Sequence, residues 1–336
     1  MQVSGHPRGF DRTRLRWGYN ACVALDHYVS QVHLRNFYSP ALGERMYALR
    51  KSDGKSFTPN SESVCRIEEG STNAYLTRDR AIEEFLKGVE PKYNAAVAQL
   101  ACGEFDPEAI YVVSGFAAYV QTCSPTAMRL HTGPLKAILE STARALDSAG
   151  AFGAPPESLG GASLTELLAR GDIKFTVDPK FPQAIGITNV IKMVLLLGNS
   201  AWEVLRNPIE DSPLFTSDFP AAIEESDDPR VVNHLIPLTP SLALRIHPDI
   251  HLKREALDLS FRHFRARVRT LEREETDHIN RRIVQCAEDL VFYRDDHPWV
   301  RPLVAQYAHY HLGTRTTEIE TPEGAMLISQ QRILEH

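Results

Sequence analysis

The stretch "SPLFTSDFPAAIEESDDPRVVNHLIPLTPSLALRIHP" (residues 212–248) decides the fold class. Its apolar residues form short runs separated by Pro, Ser and Asp, a pattern typical of strands joined by turns. The segments on either side repeat apolar residues at three- and four-residue spacing, which predicts helices. We therefore predict an α+β protein: a mainly helical single domain with a small antiparallel β-sheet.

Two helical segments precede this stretch and carry clear end signals. The first spans residues 77–103, and Pro91 should kink or break it because proline cannot continue a helical hydrogen-bond ladder. The next begins at Asp106, a plausible N-cap, with Pro107 at the first helical position. Both segments place apolar residues on one face and so predict packing against a core.

Further elements are predicted on both sides of the strands. The apolar stretch 187–205 is interpreted as one buried helix, because it is short for a membrane span and includes charged and amide side chains. Residues 259–293 predict a last long helix. Near the start, "SDGK" (52–55) predicts a hairpin turn, since Asp-Gly supplies the positive φ that a tight turn needs.

The chain divides into two parts by charge and composition. Residues 1–24 are expected to form a basic N-terminal arm, and residues 25–336 a single domain. A segment rich in Gly and Pro, 150–161, predicts a surface loop within that domain.

Composition narrows the class of protein. The 336 residues include 43% hydrophobic and 24% charged residues, as in an ordinary globular protein. The net charge of -6 argues against a protein that coats nucleic acid by charge alone, although it leaves a local basic patch open. Five widely spaced cysteines without a CxxC pair argue against a disulfide framework and a zinc–thiolate site. Reduced thiols, and an N-terminus without an apolar leader, favour a cytoplasmic protein.

Several catalytic signatures are absent from the sequence. It has no GxSxG, GxxxxGK[ST], GxGxxG or HExxH pattern, which disfavours serine hydrolases, nucleoside triphosphatases, dinucleotide enzymes and zinc proteases. The sequence therefore identifies neither a cofactor nor a metal site.

The first candidate site is "DHYVSQVHLRNF" (26–37). If this stretch is helical from His27 onward, then His27, Gln31 and Arg35 form one polar stripe. Histidine moves a proton near neutral pH, and arginine holds two oxygens of an anion. Asn36 follows the stripe as a further ligand-binding candidate. The alternative is a solvated stripe on a helix that Asp26 caps.

The second candidate site is "FTSDFP" (215–220), where an apolar strand ends in Thr216, Ser217 and Asp218. Strand ends often carry catalytic carboxylates and hydroxyls, although an Asx turn is the alternative. On the last predicted helix, Asn280 lies among apolar neighbours and needs partners if it is buried, either as a structural bridge or as part of a site.

A basic stripe is predicted on the same long helix. Its members recur at three- and four-residue spacing: Arg262, Arg265, Arg269 and Arg273. Interleaved glutamates favour a solvated, ion-paired face, and a strip that contacts nucleic-acid phosphate is the alternative.

The candidate motifs resemble those of one family. "HYVSQVHLRNF" (27–37) resembles the HYVPQ-x-x-LRNF motif that opens the DUF4238 proteins, a family named as a domain of unknown function. The order of the other motifs is similar over about residues 25–295: the SDGK hairpin, an IE…VE pattern, "QTCSP", Trp202 ahead of "FTSDFP", "PLTPSLALRI" and the helix with Asn280.

Three positions depart from the motifs of the family. Ser30 stands where proline is usual, Cys123 where an arginine is frequent, and Phe219 where asparagine is common. The change at Cys123 removes an anion ligand. The resemblance implies a mainly helical fold with a small sheet and favours a site at both motifs, but it implies no activity.

Two hypotheses of function follow from these motifs. The first is an intracellular hydrolase that acts on a phosphodiester, a nuclease-like effector in a toxin or phage-defence setting. His27 would be its general acid or base, and Asp218 would orient His27 or bind a metal. The alternative is a non-catalytic ligand- or protein-binding module of a larger assembly. Expected partners are nucleic acid at a local basic patch, and a protein partner or a second copy of the chain. No membrane is expected.

Overall fold

A computed structural model describes residues 25–335, apart from 154, 156, 254, 256, 322 and 323. The basic arm predicted at 1–24 lies outside the described residues. Helices take a larger share of the chain than strands, so the predicted α+β class is confirmed. The description as mainly helical with one small sheet matches only roughly, because the described strands form four sheets, and one of these has five strands.

The N-terminal region is built from short elements: β1 (Leu25–His27), α1 (Gln31–Arg35), β2 (Tyr47–Arg50), β3 (Ser56–Phe57) and β4 (Arg66–Glu68). The predicted hairpin is confirmed, since Ala48 pairs with Phe57 and Gly54 has a φ of +67°. A helix from His27 onward is wrong. His27 lies in β1, opposite Arg66 of β4, and the helix begins only after Ser30.

The middle of the chain is helical: α2 (Ala81–Lys87), α3 (Tyr93–Cys102), α4 (Pro107–Cys123), α5 (Pro125–Ser148), α6 (Leu164–Arg170), α7 (Lys180–Thr188) and α8 (Val190–Gly198). The break at Pro91 is confirmed by a 3₁₀ turn over Glu90–Lys92. The Asp106 carboxylate caps α4 by accepting a hydrogen bond from the Ala109 N–H at 2.7 Å. Helix α4 is buried along most of its length and forms the centre of the core.

The apolar stretch 187–205 is not one helix. Helix α8 ends at Gly198, and β5 (Ala201–Arg206) follows at once. A Cβ on Gly198 would lie 2.4 Å from the Phe261 ring, so the helix end approaches this ring closely. Among the described residues, no single helix is long and apolar enough to cross a membrane; α7 and α8, bent by 56° at their junction, reach that length and composition only as a pair.

The largest sheet contains β5, β7 (Ala222–Glu225), β8 (Val232–Thr239), β9 (Leu242–His247) and β10 (Arg265–Thr270) in the order β10-β5-β9-β8-β7. Three of these strands come from the stretch that was predicted to form the sheet. The sheet is not wholly antiparallel, because β10 pairs with β5 in parallel.

The long helix predicted over 259–293 is wrong. The structure divides this region into β10, α9 (Arg273–Cys286) and β11 (Leu290–Tyr293). The predicted basic stripe is therefore divided as well: Arg265 and Arg269 lie on a strand, and only Arg273 is helical. Alternation of arginines with Ala266 and Val268 lets one face of β10 contact acidic groups of the sheet.

A four-stranded sheet joins distant parts of the chain in the order β3-β2-β11-β6, where β6 is Thr216–Ser217. Phe292 of β11 pairs with Ala48 of β2 on one side and with Thr216 on the other. The chain continues through α10 (Val300–Tyr307) into a two-stranded hairpin, β12 (Tyr310–Thr321) and β13 (Gly324–Glu335).

Candidate functional site

A polar cavity of about 660 Å³ opens beside the end of β1 and the start of α1. We call it the His27 cavity. Its lining comes from β1, α1, the turn after β4, α2, the 3₁₀ turn at Pro91 and α4: Leu25, Asp26, His27, Gln31, Val32, Arg35, Ser71, Glu83, Leu86, Lys87, Glu90, Pro91 and Tyr119. Three of the residues predicted from the first motif, His27, Gln31 and Arg35, thus meet at one cavity, although a strand and a helix supply them instead of one helix.

His27 is held in place by its backbone. The β1–β4 ladder fixes one side of the residue, and the Tyr119 hydroxyl donates a hydrogen bond to its carbonyl oxygen. The side chain is partly exposed, its Nδ1 atom is buried, and the backbone of Val64 lies close enough to interact with the ring. Burial, together with the nearby positive charge of Arg66, lowers the pKa of His27 below its usual value of 6.5. The imidazole is therefore neutral at pH 7.

Arg35 has only neutral partners in the part of the chain that the structure describes. Its Nη2 atom donates to Gln31 Oε1 at 3.1 Å, and its Nε atom donates to Ser61 Oγ at 3.4 Å. Ser61 is itself fixed by the Tyr38 hydroxyl, which donates to Ser61 Oγ at 2.8 Å. A guanidinium that is oriented but not neutralised is ready to bind an anion.

Most other charges at the cavity are already paired. Arg80 lies 3.2 Å from Asp26 and also contacts Glu83, and Lys87 lies 2.5 Å from its helix neighbour Glu84. The carboxylates of Asp26, Glu83 and Glu84 therefore already have cationic partners.

Glu90 is the exception. It accepts a hydrogen bond from the Ser30 hydroxyl and has no cationic partner within the described ranges. The buried Ser30 therefore fixes the carboxylate of a cavity residue, at the position where the motif of the family has proline; its φ of -59° is one that proline also adopts. The first motif gave no sign of Glu90, which lies sixty residues farther along the chain.

The side chains of the second motif, Thr216, Ser217 and Asp218, do not line the His27 cavity. Thr216 Oγ1 shares a hydrogen bond of 2.8 Å with Nε2 of His33, and Nδ1 of His33 shares another of 2.8 Å with the Tyr93 hydroxyl. Burial lowers the pKa of His33 to about 3, so this imidazole is a neutral bridge inside the core. Ser217 Oγ accepts from the Phe219 N–H at 3.1 Å. Both hydroxyls are fully buried, and neither lines the His27 cavity.

Asp218 forms hydrogen bonds with backbone N–H groups. Its carboxylate accepts three hydrogen bonds, each of 2.8 Å, from the N–H groups of Glu288, Asp289 and Leu290. The side chain is buried and is not among the residues that line the His27 cavity. The motif thus connects β6 to the turn before β11, as an Asx-type interaction across the fold rather than within a local turn.

Burial raises the pKa of Asp218 to about 6 in spite of these three donors. A carboxyl whose pKa is higher in the folded than in the unfolded chain contributes stability at low pH, and this contribution is lost as pH rises from about 4 through about 6. We expect the wild type to lose about 3 kcal/mol over that window relative to Asp218→Asn, which cannot ionise. Urea unfolding of both proteins between pH 4 and pH 7.5 measures this difference. A free energy of unfolding of the wild type that stays constant or rises with pH relative to that of Asp218→Asn would contradict the assignment.

The two asparagines predicted as ligands have structural partners. Asn280 Oδ1 accepts from the Phe215 N–H at 2.9 Å, and its Nδ2 donates to the Pro213 carbonyl at 3.0 Å, so it bridges α9 to the segment before β6. Asn36 Nδ2 donates to the Leu238 carbonyl at 3.3 Å. Asn36 also lines a separate cavity of about 590 Å³ between α3 and β5, which the other predicted residues do not reach.

A charged cluster on the five-stranded sheet was not predicted. The buried carboxylate of Glu203 contacts Arg267 and lies 2.8 Å from Arg245, which also lies 2.5 Å from Glu224. The alternation of residues 265–269 was the available signal, because it is typical of a strand with one charged face. Among the described residues, no group of three or more His, Cys, Asp or Glu side chains is arranged to hold a metal ion.

Comparison with known families confirms the resemblance. The model of a protein family described as "Protein of unknown function (DUF4238)" matches residues 26–297. The chain belongs to the DUF4238 family. Neither the curated proteins nor the solved structures give a significant match. The matched region of the DUF4238 chain includes every residue that lines the His27 cavity except Leu25, and it includes Asp218 with its three donors; it ends before the C-terminal hairpin.

Proposed function

We propose that this DUF4238 protein is a hydrolase that cleaves a phosphodiester in the His27 cavity. One observation carries the proposal: the guanidinium of Arg35, which has only neutral partners among the described residues, faces the same cavity as the neutral imidazole of His27. Phosphoryl transfer to water needs a group that holds the phosphate oxygens and a group that moves a proton near neutral pH. The cavity supplies both.

The roles follow from the contacts. Gln31 fixes the guanidinium of Arg35, whose free N–H groups bind two oxygens of the phosphate. Water attacks phosphorus, His27 accepts its proton, and the bond from phosphorus to the leaving oxygen breaks. The leaving oxygen then takes a proton from the imidazolium. Glu90 accepts a hydrogen bond from a hydroxyl or amino group elsewhere on the substrate. Asp218 has a structural part, because backbone donors occupy both of its oxygens.

The proposed substrate is a nucleotide or the end of a nucleic-acid strand. A cavity of about 660 Å³ has the size of sites that bind small organic ligands. The proposed setting is that of a cytoplasmic nuclease-like effector, in a toxin or phage-defence system.

Hydrolysis of bis(p-nitrophenyl) phosphate and of short RNA and DNA oligonucleotides tests the proposal. His27→Ala is expected to lower kcat by about 10²–10⁴-fold, the usual contribution of a general acid or base. Arg35→Lys is expected to raise KM about tenfold, because lysine cannot hold two oxygens in one plane. His251→Ala, an exposed histidine away from the cavity, is the matched control and should retain full activity. Equal activity of His27→Ala and wild type would falsify the proposal, and expression of the same variants in bacteria shows whether toxicity follows activity.

The pH profile gives an independent readout. Because the pKa of His27 lies below 6.5, a neutral base is present throughout the neutral range. The acidic limb of kcat/KM is therefore expected below pH 6.5 and should disappear in His27→Ala. An acidic limb that persists in this variant assigns the titration to another group.

A non-catalytic binding module is the second candidate. It is favoured by two groups of opposite charge, Arg35 and Glu90, which face one cavity without ion-pair partners among the described residues. Such a cavity suits a ligand with an anionic group and a hydrogen-bond donor. Calorimetry with a panel of nucleotides distinguishes the two functions: binding that Arg35→Gln abolishes, without turnover by the wild type, supports the binding module.

A further inference from the structure

The C-terminal hairpin, β12 and β13, lies beyond the region matched by the family model. One of its faces packs on α5: Thr314 Oγ1 donates to the Leu130 carbonyl at 3.0 Å, and Glu318 accepts from Ser141 and Arg144. Within the described residues, the two strands pair only with each other. A two-stranded sheet of this length is marginal on its own and presents unpaired edges.

The edge of β12 is occupied at its base. The Lys51 ammonium donates to the Tyr310 carbonyl at 2.7 Å, and the Arg129 guanidinium donates to the Leu312 carbonyl at 2.8 Å. In an antiparallel pair, the N–H and C=O of one residue point to the same side, and successive residues alternate. Even-numbered residues of β12 therefore point outward, and the odd-numbered ones bond to β13.

The same alternation fixes the free edge of β13. Thr317 pairs with Ile328 and Ile319 with Met326, so these even-numbered residues of β13 bond to β12. The N–H and C=O groups of Leu327 and Ser329 consequently point away from the hairpin. The edge that they form belongs to "MLISQQ" (326–331), six residues without charge or proline. Exposed edge strands usually avoid such a sequence, because it pairs readily with another strand.

The face that points away from α5 is apolar near the tip. Ile319, Met326 and Ile328 are 41%, 48% and 38% exposed and are neighbours across the two strands. A free, uncharged edge and an apolar outer face thus occur on the same strand. Natural edges are commonly protected by lysine, proline or a bulge, and this segment has none of the three.

We propose that a second copy of the chain binds this edge, with the two β13 strands antiparallel about a two-fold axis at Ile328. Leu327 of one copy then faces Ser329 of the other, and both residues have outward N–H and C=O groups, so the ladder is complete. Met326 faces Gln330, and the two Ile328 side chains meet at the axis. This register places no charge opposite a like charge between residues 326 and 330, and it makes one four-stranded sheet from two hairpins.

Light scattering coupled to size exclusion tests the proposal on the full chain. The wild type is expected to have twice the monomer mass at micromolar concentration. Ile328→Lys places two lysines opposite each other at the axis and should weaken the dimer at least ~10-fold. Ser329→Pro removes an outward N–H and the side-chain hydrogen bond to Thr316, but no backbone hydrogen bond to β12, so it should weaken the dimer as well. Ser329→Ala loses the same side-chain bond but keeps the N–H, and should remain dimeric. Ile319→Lys is the matched control: it removes as much apolar surface from the same face, but on β12, and should remain dimeric.

Crosslinking locates the contact. Ile328 is a non-hydrogen-bonded position toward the second copy, where side chains approach most closely. Ile328→Cys should therefore form a covalent dimer on mild oxidation, whereas wild type and Ile319→Cys should not. A monomeric wild type, or a dimer that persists in both Ile328→Lys and Ser329→Pro, overturns the proposal. So does a wild type that stays monomeric and binds an unrelated extended peptide instead. Circular dichroism confirms that each variant is folded.

Discussion

Asp218→Ala is expected to lower the free energy of unfolding by about 3–5 kcal/mol. The substitution leaves the N–H groups of Glu288, Asp289 and Leu290 without their acceptor in a part-buried turn. Each buried donor without a partner costs about 1–3 kcal/mol, and partial rearrangement of the turn recovers some of this loss. The three donors immediately precede or begin β11, so the loss also loosens the pairing of β11 with β2 and β6.

Urea unfolding, monitored by tryptophan fluorescence, measures the effect of Asp218→Ala. Asp79→Ala is a suitable control, because Asp79 is exposed and its side chain has no ion pair among the described residues. If Asp218→Ala lost the proposed hydrolase activity while its free energy of unfolding stayed unchanged, the structural role assigned to this residue would be contradicted. A catalytic role for Asp218 would then be favoured.

Glu203→Ala is expected to cost about 3–5 kcal/mol as well. The Glu203 side chain is only 4% exposed, and it accepts from Arg245, whose side chain is 12% exposed. Removing Glu203 takes away the buried carboxylate that Arg245, Arg267 and Arg269 share, and it leaves part of the buried Arg245 guanidinium without an acceptor, which is destabilising. Arg245 retains Glu224, but Arg267 and Arg269 lose their contact with β5, and the parallel pair β5–β10 is held together by those contacts and its ladder.

The matched control is Glu225→Ala, at the exposed end of β7 in the same sheet. It should change the free energy of unfolding by less than about 0.5 kcal/mol. If Glu203→Ala is as mild as this control, the sheet does not depend on the charged cluster. Combining Glu203→Ala with Arg245→Ala refines the test: the double variant should cost less than the sum of the two single variants, because each single variant already removes the contact between these two side chains.

Local signals were enough to predict several features of this fold. The Asp-Gly turn at 53–54, the break at Pro91 and the cap at Asp106 each depend on neighbouring residues, and each is confirmed. The alternating segment 265–270 was assigned to a helix because its arginines also recur at helical spacing. The segment forms a strand because it pairs with β5, and this pairing joins residues more than sixty positions apart.

In the candidate site, too, local relations were predicted and long-range contacts were not. His27, Gln31 and Arg35 do share a cavity, because a short strand that leads directly into a helix keeps sequence neighbours close. The hydrogen-bond partners of Asp218 could not be predicted from its motif, because they are backbone N–H groups that almost any residue at 288–290 would supply. His33 was likewise hidden: it follows Gln31 by two positions and so lies on the buried side of α1, where its partners come from α3 and β6.

The sheet that joins β2 to β11 has a consequence for synthesis of the chain. Arg50 pairs with Leu290, so β2 leaves the ribosome long before its central partner exists. In the interval, β2 has only the two-residue strand β3 beside it. The apolar side chains of Ala48 and Leu49, which are buried in the folded protein, stay exposed during that time. Contacts of such large sequence separation slow folding. We therefore expect the nascent chain to depend on chaperones until residue 293 has emerged, and its folding to be completed after translation rather than during it.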